Sequence, residues 1–158
     1  MRFVLYLPGM HAEVSHANRM KKLLVLLIGA ASALACTAME FKNVPAPMHK
    51  PLSNHGLKAA QLDNGVLRLQ MDKPVVTELM YSSFIFNGIC AEQWRNPERF
   101  ATLALTRVEL LDAAAGQGFA FDARGDVCVQ MGEMGKNFKA FIAERTVPCT
   151  GGVCPQKP

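Results

Sequence analysis

The chain has 158 residues, half of them hydrophobic, with 17 Lys+Arg against 13 Asp+Glu and a formal net charge of +4. Four of those cations (Arg2, Arg19, Lys21 and Lys22) and one carboxylate (Glu13) precede Cys36, which leaves 13 against 12 over the remaining 123 residues. So small an excess, with no run of five like charges, argues against a nucleic-acid partner and against an electrostatic tail, and the length suits one ordinary domain rather than two.

Residues 20–35 read as an export signal that begins at an internal methionine. Lys21 and Lys22 form a positive n-region, Leu23 to Ile28 an apolar core, and Gly29 to Ala35 a small-residue stretch leading to a cleavage site. The apolar run stops short of the about 20 residues that a stable span needs, so cleavage is expected rather than anchoring by this helix. Residues 1–19, with Pro8, Gly9, His11, Glu13 and His16, carry no targeting pattern and read as an extension ahead of a true start at Met20.

Ala33-Leu34-Ala35-Cys36 resembles the lipobox of bacterial prolipoproteins, with Ala33 and Leu34 in the reverse of the family's preferred order. The resemblance covers the leader alone. It implies a diacylated Cys36 at the mature N-terminus and a membrane held through that lipid. Thr37 rather than Asp follows the cysteine, which by the same resemblance implies the outer membrane, facing the periplasm. A cut by A-x-A-like logic after Ala35, which leaves Cys36 an exposed free thiol, or after Ala38 instead gives a soluble periplasmic or secreted protein. Of the five cysteines, removing or acylating Cys36 leaves Cys90, Cys128, Cys149 and Cys154, an even set suited to an oxidising compartment. Three connectivities are possible, and the expected one joins Cys90 to Cys128 and Cys149 to Cys154. Four residues separate the latter pair where thioredoxin-like sites have two, so structural disulfides are expected rather than a redox site.

Pro45, Pro47 and Pro51 mark residues 36–56 as an extended tether, or alternatively an irregular arm packed on the domain. Residues 57–158 then form a single globular domain. Asn64-Gly65 predicts a type I′ hairpin that sets Leu62 against Leu67, Ala60 against Leu69, Lys58 against Met71 and Gln61 against Arg68. Apolar spacing predicts a helix over 74–87, with Asp72 as N-cap and Gly88 as its stop, although Phe84, Phe86 and Cys90 would share one face of a strand. Asn96-Pro97-Glu98 opens a short helix reaching about Ala104 and burying Phe100 and Leu103. Residues 106–112, 118–122 and 127–131 read as strands, with Val108 and Leu110, Phe119 and Phe121, and Val127 and Val129 facing inward. Phe138, Phe141 and Ile142 fall at helical spacing. The expected fold is a disulfide-stapled α+β domain with an antiparallel sheet of about four to six strands and two or three short helices.

The histidines constrain chemistry most. His11 and His16 precede the leader and His49 and His55 lie in the proline-containing stretch, so any His-based triad or zinc site draws its imidazole from that stretch. Met39, Met48, His49 and His55 are of the types that suit copper but are irregularly spaced, and no metal site or cofactor is assigned. Glu92, Glu98, Glu109, Asp122 and Asp126 are available for carboxylate catalysis, yet sequence spacing brings no two of them together. Arg124-Gly125-Asp126 reads as a turn. Trp94, Arg95 and Arg99 are the candidate ligand-binding patch for a protein or glycan. The expectation is a non-enzymatic envelope binding, assembly or inhibitor-type module, with a small carboxylate hydrolase or a copper-handling periplasmic protein as alternatives.

Overall fold

The computed structural model describes residues 38–157. The expected leader, the stretch ahead of it and Cys36 lie outside those residues. The chain is an α+β fold on a six-stranded mixed sheet in sequential order: β1 (Glu40–Lys42), β2 (Leu57–Asp63), β3 (Val66–Met71), β4 (Arg107–Leu111), β5 (Gln117–Asp122) and β6 (Thr146–Thr150). Two neighbours pair in parallel, β1 with β2 and β3 with β4; the other three pairs are antiparallel. A parallel neighbour demands a crossover, and helices supply both. Helix α1 (Ala46–Ser53) joins β1 to β2. The run α2 (Glu78–Phe84), a π-helical turn (Ile85–Cys90), α3 (Ala91–Arg95) and α4 (Pro97–Ala101) joins β3 to β4. Helices α5 (Val127–Glu133) and α6 (Phe138–Glu144) connect β5 to β6.

The hairpin forms at Asn64-Gly65, whose φ values of 48° and 78° are those a type I′ turn requires. Leu62 faces Leu67, Ala60 faces Leu69 and Gln61 faces Arg68, while a register shift at Lys58 sets Leu57 rather than Lys58 against Met71. Alternation then carries Leu67, Leu69, Val108, Leu110 and Phe121 onto one face, where they share a core with Met48 and Leu52 of α1, Tyr81 and Phe84 of α2, and Ile142 of α6.

Five expectations need correction. The sheet is mixed rather than antiparallel and carries more than the two or three helices expected, because helical crossovers make β1 with β2 and β3 with β4 parallel neighbours. Residues 38–56 are not a tether: Met48 and Leu52 are 1% and 0% exposed, so α1 is a working part of the core. Pro45 occupies its N-cap, Pro47 lies in its first turn, and Pro51 falls late enough that few helical bonds are lost. Residues 127–131 form a helix rather than a strand; Val127, Cys128 and Met131 are buried while Val129 is 52% exposed. The helix expected over 74–87 starts at Glu78 instead, where the Thr77 side chain accepts from the Met80 N–H at 3.2 Å, and Gly88 continues it as part of the π-helical turn. The helix opened by Pro97 ends at Ala101, with Phe100 and Leu103 buried as expected.

Both expected disulfides are present, Cys90 to Cys128 and Cys149 to Cys154. They fit an oxidising, extracytoplasmic compartment. No helix among the described residues is long and apolar enough to cross a membrane.

The sheet's second face carries a different row. Lys42, Gln61, Arg68, Glu109, Ala120 and Val147 stand side by side across all six strands. Glu109, almost wholly buried, accepts from Arg68 Nε at 2.8 Å on one oxygen and from Arg107 Nε at 2.9 Å on the other. Arg107 and Arg68 then donate to the carbonyls of Pro155 and Gly152, at 2.7 and 3.3 Å, and hold the C-terminal segment over this face. Removing one partner of a buried pair leaves the other charge uncompensated, a loss of ~3–5 kcal/mol. Glu109→Ala is expected to destabilise the chain by about that amount in urea unfolding, and Lys42→Ala by under ~0.5 kcal/mol.

Candidate functional site

A groove of about 660 Å³ lies between α1 and the helical run after β3. Lys50 comes from α1 and His55 from the turn beyond it; Gly88, Glu92, Arg95 and Arg99 come from the π-helical turn, α3 and α4. Local sequence explains the shape. In the π-helical turn one residue is accommodated in excess of the α-helical repeat, with the Ala91 N–H bonded to the Phe86 carbonyl five residues back. Gly88 is required there because a Cβ would sit 2.9 Å from the Phe84 ring and 3.2 Å from His55 Nε2.

Asn96 separates α3 from α4, and its side chain turns back instead of capping α4: Nδ2 donates to Glu92 Oε1 at 2.7 Å. Arg95 and Arg99 complete the carboxylate's surroundings at 3.2 and 3.4 Å. These contacts differ in weight. Arg95 is 65% exposed, and such a surface pair contributes ~0.2–1 kcal/mol. The short amide bond to a buried carboxylate is worth ~1.5–3 kcal/mol. Asn96 therefore fixes Glu92, and the two guanidiniums keep donors facing the groove. His55 sets its ring edge-on to Phe84 with centroids 5.1 Å apart. Burial, and then the positive charge of Arg95, push its pKa below the usual imidazole value.

Of the sequence-derived patch, Arg95 and Arg99 meet at this groove and Trp94 does not. Its indole packs against Phe86 at 5.3 Å and donates to the Cys128 carbonyl at 2.9 Å, beside the disulfide. Lys50, His55 and Glu92 had not been placed with them. Glu92 and Arg95 do fall at i and i+3, a spacing that puts them on one face of α3, whereas Arg99 reaches the carboxylate from α4, beyond the break at Asn96. The contribution of α1 had no sequence signal once its prolines were read as a tether.

The other candidate residues are apart. Asp122 is chelated by Arg124 at 2.8 Å through both oxygens, Glu109 is held by Arg68 and Arg107, and Glu98 and Asp126 are exposed. The groove carries Glu92 as its single carboxylate. His49 stacks on Phe41 at 3.9 Å with Nε2 2.8 Å from the Val44 carbonyl, Met48 is in the core, and the Met39 sulfur accepts from Ser53. No three of His, Cys, Asp and Glu gather as a metal-ligand set among the described residues.

Comparison with protein-family models, characterised proteins and solved structures gives no match. The site stands on its own geometry: Lys50, Arg95 and Arg99 against Glu92, with a neutral-leaning imidazole between two helical walls.

A base whose pKa is lower in the folded chain than in the unfolded one makes the unfolded chain bind the proton first. Its contribution is fully present above the unfolded value near 6.5 and is lost as pH falls through it. The melting temperature is therefore expected to drop between about pH 7 and about pH 5 by less in His55→Gln than in the parent. Equal drops in the two would show that His55 is not held neutral by this site.

Proposed function

We propose that this chain is an exported cell-envelope lipoprotein whose single domain is a non-enzymatic binding module, recognising an acidic segment of a partner protein in the groove between α1 and α3. The observation that carries the reading is the groove's charge: three permanent cations face one carboxylate, and that carboxylate is already occupied by Asn96, Arg95 and Arg99. Guanidiniums present paired donors that match carboxylates in planar geometry, so acidic side chains are the natural counterpart. No Phe, Tyr or Trp lines the walls, with Trp94 turned toward Cys128, and this favours peptide over stacked sugar rings. Two proline rings, Pro47 and Pro51, stiffen one wall. A lipid on Cys36 would tether the domain to a membrane surface.

Fluorescence anisotropy with a labelled oligoglutamate peptide tests the groove. Binding is expected to weaken with rising salt and to fall about ten-fold or more in Arg95→Ala/Arg99→Ala, the loss of two charge-assisted contacts. Indifference of the peptide to that double variant would remove the groove as the binding face.

The address is tested separately by mass spectrometry of the mature protein. The expected N-terminus is Cys36 carrying acyl chains; an unmodified start at Met39 would sink the lipoprotein reading and leave the groove untouched.

A further inference from the structure

The sheet face turned away from the helices holds a second, smaller cavity of about 230 Å³. It lies where β4 begins and β5 ends, between Thr106, Arg107, Asp122 and Arg124 on the sheet side, Arg145 at the start of β6, and Lys157 from the C-terminal segment. The helix-side groove contributes none of these residues.

Its charges do not balance. Glu109 is shared by two guanidiniums, those of Arg68 and Arg107. Asp122 is chelated by Arg124, whose hydrogen bond is the main reason its carboxyl is drawn down to about 2; Arg145 adds a smaller pull in the same direction. Arg145 itself has only a neutral partner, Gln130 at 3.4 Å, and the face of Phe141, 4.8 Å away. Neither Arg145 nor Lys157 pairs with a carboxylate among the described residues. Like charges crowded without a counter-ion are unfavourable, and low-dielectric walls concentrate their field.

We propose that this cavity binds a phosphate-class oxyanion. Donors reach it from three directions: β4 through Arg107, the end of β5 through Arg124, and β6 with the C-terminal segment through Arg145 and Lys157. That arrangement suits a tetrahedral group with several acceptor oxygens better than a planar carboxylate, and the arginine forks match phosphate geometry. The C-terminal segment closes one wall because Arg107 holds the Pro155 carbonyl and the Cys149–Cys154 disulfide closes the loop before it. The two sources of such a group are free phosphate and the phosphate of a phospholipid headgroup.

Two arms separate them, both with protein lacking the acyl chains. Calorimetric titration with inorganic phosphate, at ionic strength held constant with sodium chloride, is expected to show one site. Sedimentation with phosphatidylglycerol vesicles tests the headgroup. Uptake in either arm that falls at least about ten-fold in Arg145→Gln supports the proposal, and the arm in which it occurs names the source. Lys157→Gln, on a side chain with no ion pair among the described residues, is expected to weaken the same uptake by a few-fold and guards against a folding defect. Arg95→Ala/Arg99→Ala is expected to leave it unchanged, which keeps this site distinct from the peptide groove. No uptake in both arms, or uptake indifferent to Arg145→Gln and Lys157→Gln, overturns the proposal.

Discussion

Glu109 sits on one of the two central strands with a guanidinium at each carboxylate oxygen, and much of the second sheet face is organised by the need to satisfy those three charges. A buried carboxylate without partners is untenable, and a buried arginine beside it needs its remaining donors used. Arg107 meets that need with the Pro155 carbonyl and Arg68 with that of Gly152, so the C-terminal segment is drawn across the sheet. The Cys149–Cys154 loop then lies over Leu111 and Ala120, giving this face a small apolar cluster of its own beside the ionic row. One carboxylate thus couples the middle of the sheet to the end of the chain, and in doing so it builds a wall of the second cavity.

The helical face is organised by a different device. Residues 78–95 run as one continuous helical path whose π-helical turn spans Ile85–Cys90. Cys90 comes out of that turn fully buried and bonded to Cys128 on α5, and Trp94, one turn later, donates to the carbonyl of the same Cys128. The path is therefore fixed to α5 twice along one side. Glu92 and Arg95, on its other side, are left to face α1. A groove whose walls are anchored by a disulfide on one side and by Met48 and Leu52 in the core on the other is already formed before any ligand arrives, which lowers the ordering cost of binding.

What the sequence disclosed and what it hid divide along the same physical line. The hairpin was legible because its signal is local, two residues that tolerate positive φ between alternating strands, and the register followed apart from the shift at Lys58. The disulfides were legible because counting thiols needs no geometry beyond plausibility. Val127 to Met131 misled because Val127, Val129 and Met131 alternate like a strand, while Val127, Cys128 and Met131 also satisfy a helix; the buried disulfide settled the matter in favour of the second. Residues 38–56 misled because three prolines argue for extended chain wherever they stand, and only tertiary burial of Met48 and Leu52 makes a proline-bounded helix worth forming. The groove was half legible for that reason. Arg95 and Arg99 were found with Trp94 as neighbours in sequence, but Lys50 and His55 arrive from a segment some forty residues away that had been set aside as tether.

The placement of charge is what supports the proposed binding role. Beyond Cys36 the chain has 13 cations and 12 carboxylates, a balance that by itself forecasts no anionic ligand. The structure distributes them unevenly. The helix-side groove, the two arginines on Glu109 and the cavity of the sheet face hold eight of the cations and three of the carboxylates, leaving five against nine elsewhere. The eight include Arg68, Arg95, Arg99, Arg107, Arg124 and Arg145, which are every arginine beyond Cys36, whereas the five left over are all lysines. Lysine serves solubility as a hydrated point charge; arginine serves recognition through a rigid fork of donors. Five of the six arginines beyond Cys36 line one of these two concave places, with Arg68 held on Glu109 beside them, and that placement is what supports the proposal of both as sites for oxygen-bearing anions.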